Sequence, residues 1–256
     1  MTDVNMLEEK DFRFEPFEPS IGGDSGALML ATKLTDENVR FVVKYEFEGD
    51  SASEFIYHKI AAALGIYTQE VKLFKKLSGA KYACGIRYSA HARKADPIIA
   101  DNPQYSDYYR FLALYQILEE EDSKEFYFDE NNRLFKLDNA EAFMLSSACY
   151  LLINKANTKS RGVRQEIDRY LEICINKSSE HTYRIMAEKI LELFGKNALE
   201  TYLNTFIRFA ELDLSLLDEA FTTLDNVYPQ TFSKYLRSFL MIRQPACLKF
   251  AEEFLP

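Results

Sequence analysis

The hydrophobic period of this chain changes once, near residue 95, and that change restricts the fold more than any other feature. Before it, Ala27–Leu34 and Val39–Phe47 are rich in β-formers and are separated by the turn Thr35-Asp36-Glu37-Asn38, which predicts an antiparallel hairpin. Gln69–Phe74 and Tyr82–Ser89 read as two further strands. Between the two pairs, Phe55, Ile56, Ile60, Ala63 and Leu64 recur at helical spacing, with N-cap candidates from Asp50 to Glu54 and a stop at Gly65. After residue 95 apolar residues fall three and four apart, predicting helices over Tyr105–Glu120, Asn139–Asn157, Val163–Ile175, Thr182–Phe194, Ala198–Ala210, Leu214–Leu224 and Thr231–Met241. One β interruption remains, Glu125–Leu137, whose two short runs flank the turn sequence Asp129-Glu130-Asn131-Asn132. The expected architecture is α+β and bilobal: a small antiparallel sheet with one helix over residues 1–95, and a larger, mainly helical lobe over 96–256.

With 256 residues, 47% hydrophobic and 28% charged, the chain can bury one large core or two small ones. The net charge of −9 disfavours a general affinity for nucleic acid or an anionic membrane surface. The cysteines at 84, 149, 174 and 247 form no C-x-x-C pair, which argues against a zinc site or a disulfide framework and predicts free thiols. His58, His91 and His181 lack ligand-like spacing and are expected in structural or surface roles. Met1–Lys10 has no apolar leader core, and no stretch approaches the roughly 20 apolar residues of a membrane span, so a cytoplasmic location is expected. Neither a G-x-S-x-G elbow nor a G-x-x-x-x-G-K-[ST] loop occurs.

The order of elements places several polar residues where phosphate chemistry would want them. The glycine-dense stretch Ser20-Ile21-Gly22-Gly23-Asp24-Ser25-Gly26 precedes the first strand, Lys44 sits in the apolar run Phe41-Val42-Val43-Lys44, and Glu54 follows ten residues later at the start of the helix. Strand alternation puts Lys44 on the face opposite Val43, where a helix packed over it brings Glu54 into ion-pair range. Phosphoryl transfer needs backbone amides around the phosphates, a cation held by a carboxylate, and a carboxylate for magnesium. Asp138, ending the short strand Leu134-Phe135-Lys136-Leu137, is the metal candidate. The bland alternatives are an edge-strand lysine, a first-turn glutamate, a plain glycine turn, and an aspartate capping a helix that begins at Ala140.

FVVKYE with Lys44, SASEF with Glu54, and the hairpin FYFDENNRLFKLDNAEAF ending in Asp138 together resemble the HipA-like and phosphatidylinositol 3/4-kinase-like branch of the protein kinase superfamily over roughly residues 20–145. The resemblance implies that Lys44 contacts the phosphates of ATP and that Glu54 holds Lys44. It also implies that Gly22, Gly23 and Gly26 cover the nucleotide, Asp138 binds magnesium, Gly85–Ala90 lies beside the adenine, and the acceptor is a protein serine or threonine. The chain departs from the family before the hairpin, where Leu118-Glu119-Glu120-Glu121-Asp122-Ser123-Lys124-Glu125 has neither the histidine nor the metal-holding asparagine. Glu125 stands at the place of that asparagine, and Glu120 or Asp122 at the place of the catalytic base. These carboxylates either substitute, since magnesium accepts hard oxygen ligands, or mark a lost activity. The alternatives are a silent pseudokinase and a helical protein-interaction module. An acidic run closing a helix is, besides, ordinarily a solvated end.

Overall fold

The computed structural model describes residues 5–17, 28–44, 48–75, 82–95, 106–120, 125–137, 139, 142–176 and 180–254. The β-rich run builds a sheet from β1 (Met6–Glu8), β2 (Phe12–Pro16), β3 (Leu28–Lys33), β4 (Asp36–Lys44), β5 (Val71–Lys75) and β6 (Tyr82–Arg87), in the order β1-β5-β6-β4-β3-β2. Four of these strands match the predicted runs. The other two, β1 and β2, are short and polar-interrupted, and β1 pairs parallel to β5, so the sheet is six-stranded and mixed rather than small and purely antiparallel.

Alternation along β4 sorts the two faces of this sheet. Phe41 and Val43 join Phe12, Ala31 and Phe74 in an aromatic cluster, with Phe12 and Phe74 edge to face at 4.9 Å. Gly85 lies under the Phe74 ring, where an added Cβ would sit 2.4 Å from a ring carbon. On the opposite face Leu73, Cys84 and Ile86 pack with α1 (Glu48–Ala63) in the main core.

The α1 helix begins about a turn earlier than its cap candidates suggest, with Glu48 and Asp50 in the first turn, where negative charge suits the helix N-terminus. Ser51, Ser53 and Glu54 consequently lie inside the helix and are buried. It ends as predicted at Gly65, which has φ +68°. The Gly65 N–H donates to the Ala62 carbonyl and the Ile66 N–H to the Ala61 carbonyl, each at 2.9 Å, a Schellman closure.

In the second half, α2 (Ser106–Ile117) leads to the hairpin of β8 (Glu125–Phe128) and β9 (Leu134–Leu137). Asp129 Oδ1 closes its turn by accepting the N–H groups of Asn131 and Arg133, each at 2.9 Å. The polar residues that follow β6 contribute β7 (Arg93–Lys94), which pairs with β8, so residues just before 95 belong to a second, three-stranded sheet. Then come α3 (Leu145–Asn157), α4 (Arg161–Asn176), α5 (Glu180–Phe194), α6 (Lys196–Ala210), α7 (Asp218–Val227) and α8 (Gln230–Phe254).

The helix predicted from Asn139 starts only at Leu145, after a turn in which Phe143 and Met144 hold φ 64° and 52°. The helix expected to stop at Met241 runs through Pro245 to Phe254. Packing outweighs the hydrogen bond that proline removes, because Phe250 packs against Phe206 at 4.9 Å and edge to face with Tyr183 at 5.3 Å. The aromatics at helical spacing in this half, Phe206, Phe209, Phe221, Phe232, Tyr235 and Phe239, are all buried. One continuous core carries α1 residues such as Phe55 and Ile60 together with these helical residues. All four cysteines are free, and no helix among the described residues is long and apolar enough to cross a membrane.

Because Gly65 occupies left-handed backbone, Gly65→Ala should cost about 1–2 kcal/mol, lowering the melting temperature by a few degrees with no change in far-UV circular dichroism. Urea unfolding of the two proteins side by side measures it.

Candidate functional site

Lys44 is the last residue of β4 and pairs in register with Cys84 of β6, so it shares the face that α1 covers. Its charge acts on Glu54, nearly two turns into α1, whose side chain is fully buried. Burial pushes the Glu54 carboxyl up. The Lys44 charge, the hydrogen bond and charge of His58, and the Asn139 N–H outweigh it and hold the carboxyl well below the usual carboxylate range.

Each Glu54 oxygen has its own donors. His58 Nε2 lies 2.9 Å from Oε1, one helical turn away, and the Asn139 side-chain amide donates to the same oxygen at 3.2 Å. The backbone N–H of Asn139 donates to Oε2 at 2.5 Å. His58 Nδ1 meets the Thr68 hydroxyl, so the imidazole is held at both nitrogens. Glu54 therefore ties the end of β4, the body of α1 and the exit of the β8–β9 hairpin to one buried negative charge.

A second buried pair adjoins the first. Lys136 points into the core from β9, forms an ion pair with Glu120, and donates to Asn139 Oδ1 at 2.8 Å and to the Leu137 carbonyl at 3.3 Å. Tyr57 of α1 feels the charge of both carboxylates. Burial first, and then the charges of Glu120 and Glu54, push its phenol well above the ordinary range. Glu119, with φ 52°, accepts from Arg243 of α8 at 2.7 Å, and Arg243 also reaches the Tyr183 hydroxyl at 3.0 Å. The acidic run after α2 is thus not a solvated helix end at these two residues: both side chains turn inward, because each finds a cation from another element.

The structure therefore brings together Lys44 and Glu54 of the predicted constellation, with Asn139, the residue after Asp138. Asp138, Asp122, Gly22, Gly23 and Gly26 lie outside the described residues. Described neighbours frame two of these places. The Phe17 N–H donates to the Leu28 carbonyl at 3.0 Å, and Leu28 pairs with Lys44, so the two described residues that flank the glycine-bearing stretch in sequence stand at the end of the sheet where Lys44 lies. Glu125 begins β8 opposite Leu137, at the open end of the hairpin that leads to Asp138.

Glu120 is described, and it is engaged by Lys136. The expected adenine-side segment Gly85–Ala90 runs from the end of β6 toward β7, linking the two sheets, and Ser89 donates to Glu130 at 3.0 Å. Among the described residues no group of three or more His, Cys, Asp or Glu gathers as a metal cluster. The described buried carboxylates Glu54, Glu120 and Asp129 are already matched by cations, and carboxylate oxygens such as Asp138 and Glu125 carry are of the kind magnesium takes.

Two participants escaped the sequence reading. His58 had a signal, its four-residue spacing from Glu54 on one helix. Lys136 had another: in Leu134-Phe135-Lys136-Leu137 it occupies the same strand face as the buried Leu134.

No protein-family model matches the chain, and no curated protein matches it. Among solved structures it is similar to the Helicobacter pylori proinflammatory kinase CtkA, with a TM-score of 0.64 and 12% identity over 98% of this chain and 99% of that one. At this identity the likeness establishes the fold, a kinase-like bilobal α+β architecture, across nearly the whole of both chains.

A depressed carboxyl stabilises the folded state fully above its unfolded value, near 4.5, and the contribution fades as pH falls through the lower folded value. Glu54→Gln should cost about 3–5 kcal/mol at neutral pH by leaving Lys44 and its neighbours uncompensated. It should also flatten the loss of stability below pH 4.5, which urea titrations at several pH values would measure.

Proposed function

We propose that this chain is an ATP-dependent phosphotransferase of the HipA-like and phosphatidylinositol-kinase-like type, acting on serine or threonine of a protein. One observation carries the reading: the Glu54 carboxylate, fully buried, is coupled to Lys44 on the adjoining strand and bonded to the residue that follows Asp138. A lysine held in this way is aimed, and an aimed cation beside a glycine-bearing strand connection is what nucleotide phosphates require. In the proposal Gly22, Gly23 and Gly26 cover the phosphates, and the nucleotide lies between the lobe built on the six-stranded sheet and the mainly helical lobe, with the boundary drawn before β7 rather than at residue 95. Asp138 with Glu125 would hold magnesium, which when bound neutralises phosphate charge. Glu119 and Glu120 are spoken for by Arg243 and Lys136, so the acceptor-facing carboxylate is assigned to Asp122. The same two ion pairs favour, as a second reading, a module that binds nucleotide without transferring phosphate.

Millimolar Mg-ATP should raise the melting temperature of the protein, by an amount equivalent to about 2.7 kcal/mol at a hundredfold excess over Kd. Lys44→Ala and Asp138→Ala should each abolish most of that rise. Labelled ATP with protein acceptors then separates the readings: transfer that Asp122→Asn eliminates supports the phosphotransferase, and binding with no transfer supports the module. No shift with Mg-ATP would overturn both.

A further inference from the structure

Lys136 is a charged residue at a core-facing position of a strand, where Leu134 shows that an apolar side chain packs. Burying an ammonium costs several kcal/mol unless it is fully matched, so packing alone does not account for it. Its contacts do. The ammonium is paired with Glu120 and donates to Asn139 Oδ1 at 2.8 Å. Holding that oxygen fixes which way the Asn139 amide faces, and the Nδ2 end is thereby turned to Glu54 Oε1 at 3.2 Å. The ion pair and hydrogen bonds run from Glu120 through Lys136 and Asn139 to Glu54, and Lys44, on the strand face that α1 covers, acts on that carboxylate by its charge.

We infer that Lys136 is a positioning residue for phosphate binding: through Asn139 it holds the Glu54 carboxylate in the pose that aims Lys44. Glu120 serves as its counter-ion. This rests on the proposed nucleotide site, because the effect is read out in nucleotide affinity. The groups involved belong to five places in the chain, the residues just past α2, β9, position 139 beyond it, α1 and β4, so Lys136 couples the helical half to the cation of the sheet. Its consequence is specific. Loss of Lys136 should weaken the part of nucleotide affinity that comes from phosphate and leave the part that comes from adenosine.

The test compares ATP with adenosine by calorimetry on three proteins: the wild type, Lys136→Met combined with Glu120→Gln, and Asn139→Ala. The double substitution removes both buried charges together, which folded proteins tolerate far better than one orphaned charge. Asn139→Ala breaks the relay and keeps the Lys136–Glu120 pair. Both variants should bind ATP about tenfold more weakly than the wild type, the scale of one charge-assisted hydrogen bond, and bind adenosine equally well. ATP affinity unchanged in the double variant overturns the inference and leaves the nucleotide site standing. Equal loss of ATP and adenosine affinity assigns Lys136 a purely structural role and also overturns it. A wild type that binds neither ligand overturns the nucleotide reading itself, and the inference with it.

Discussion

A carboxylate taken fully out of water must be matched where it lies, and Glu54 is matched from three directions. Lys44 supplies charge from the sheet, His58 supplies a nitrogen from the same helix, and Asn139 supplies two donors from beyond the β8–β9 hairpin. None of these groups can leave without stranding the charge, so strand, helix and hairpin exit are docked together. The arrangement of the candidate site is therefore a consequence of electrostatic compensation as much as of apolar packing.

The helical half is joined to this point by a second set of matched charges. Lys136 couples Glu120 to Asn139, and Arg243 of α8 holds Glu119 at the left-handed turn that ends α2. Between Asn139 and α3 the backbone is also pinned: Ser53 donates to the Ala142 carbonyl at 3.0 Å, the Phe143 N–H donates to the Leu118 carbonyl at 2.6 Å, and the Tyr235 hydroxyl donates to the Phe143 carbonyl at 3.0 Å. Two consecutive non-glycine residues at positive φ lie in this stretch. Left-handed backbone at Phe143 and Met144 costs about 1–2 kcal/mol per residue, and anchoring from α1, α2 and α8 offsets it.

How far the site could be read in advance differs residue by residue. Lys44 and Glu54 stood out because period-two alternation and a helix start are local properties, and each put a charge where an apolar residue would ordinarily pack. Glu119 and Glu120 were read against the usual fate of acidic runs. Their partners lie 124 and 16 positions away, separations at which no local pattern operates. His58 was within reach, one helical turn from Glu54, but an i, i+4 pair on a helix is ordinarily a solvent-exposed contact, and only the docking of the hairpin exit makes this one buried.

The division follows the range of the forces. Periodicity and turn chemistry lay down the β-rich first third, the single helix ending at Gly65, the Asp129 turn and most of the helical second half, because those depend on neighbours a few positions away. Tertiary structure alone settled the rest. It recruited β1 and β2 to the sheet edges, carried α8 through Pro245, delayed α3 to Leu145, and turned Glu119, Glu120 and Lys136 inward. In each case the deciding energy comes from a partner distant in sequence: a strand edge needing hydrogen bonds, an aromatic face needing cover, or a buried charge needing its opposite.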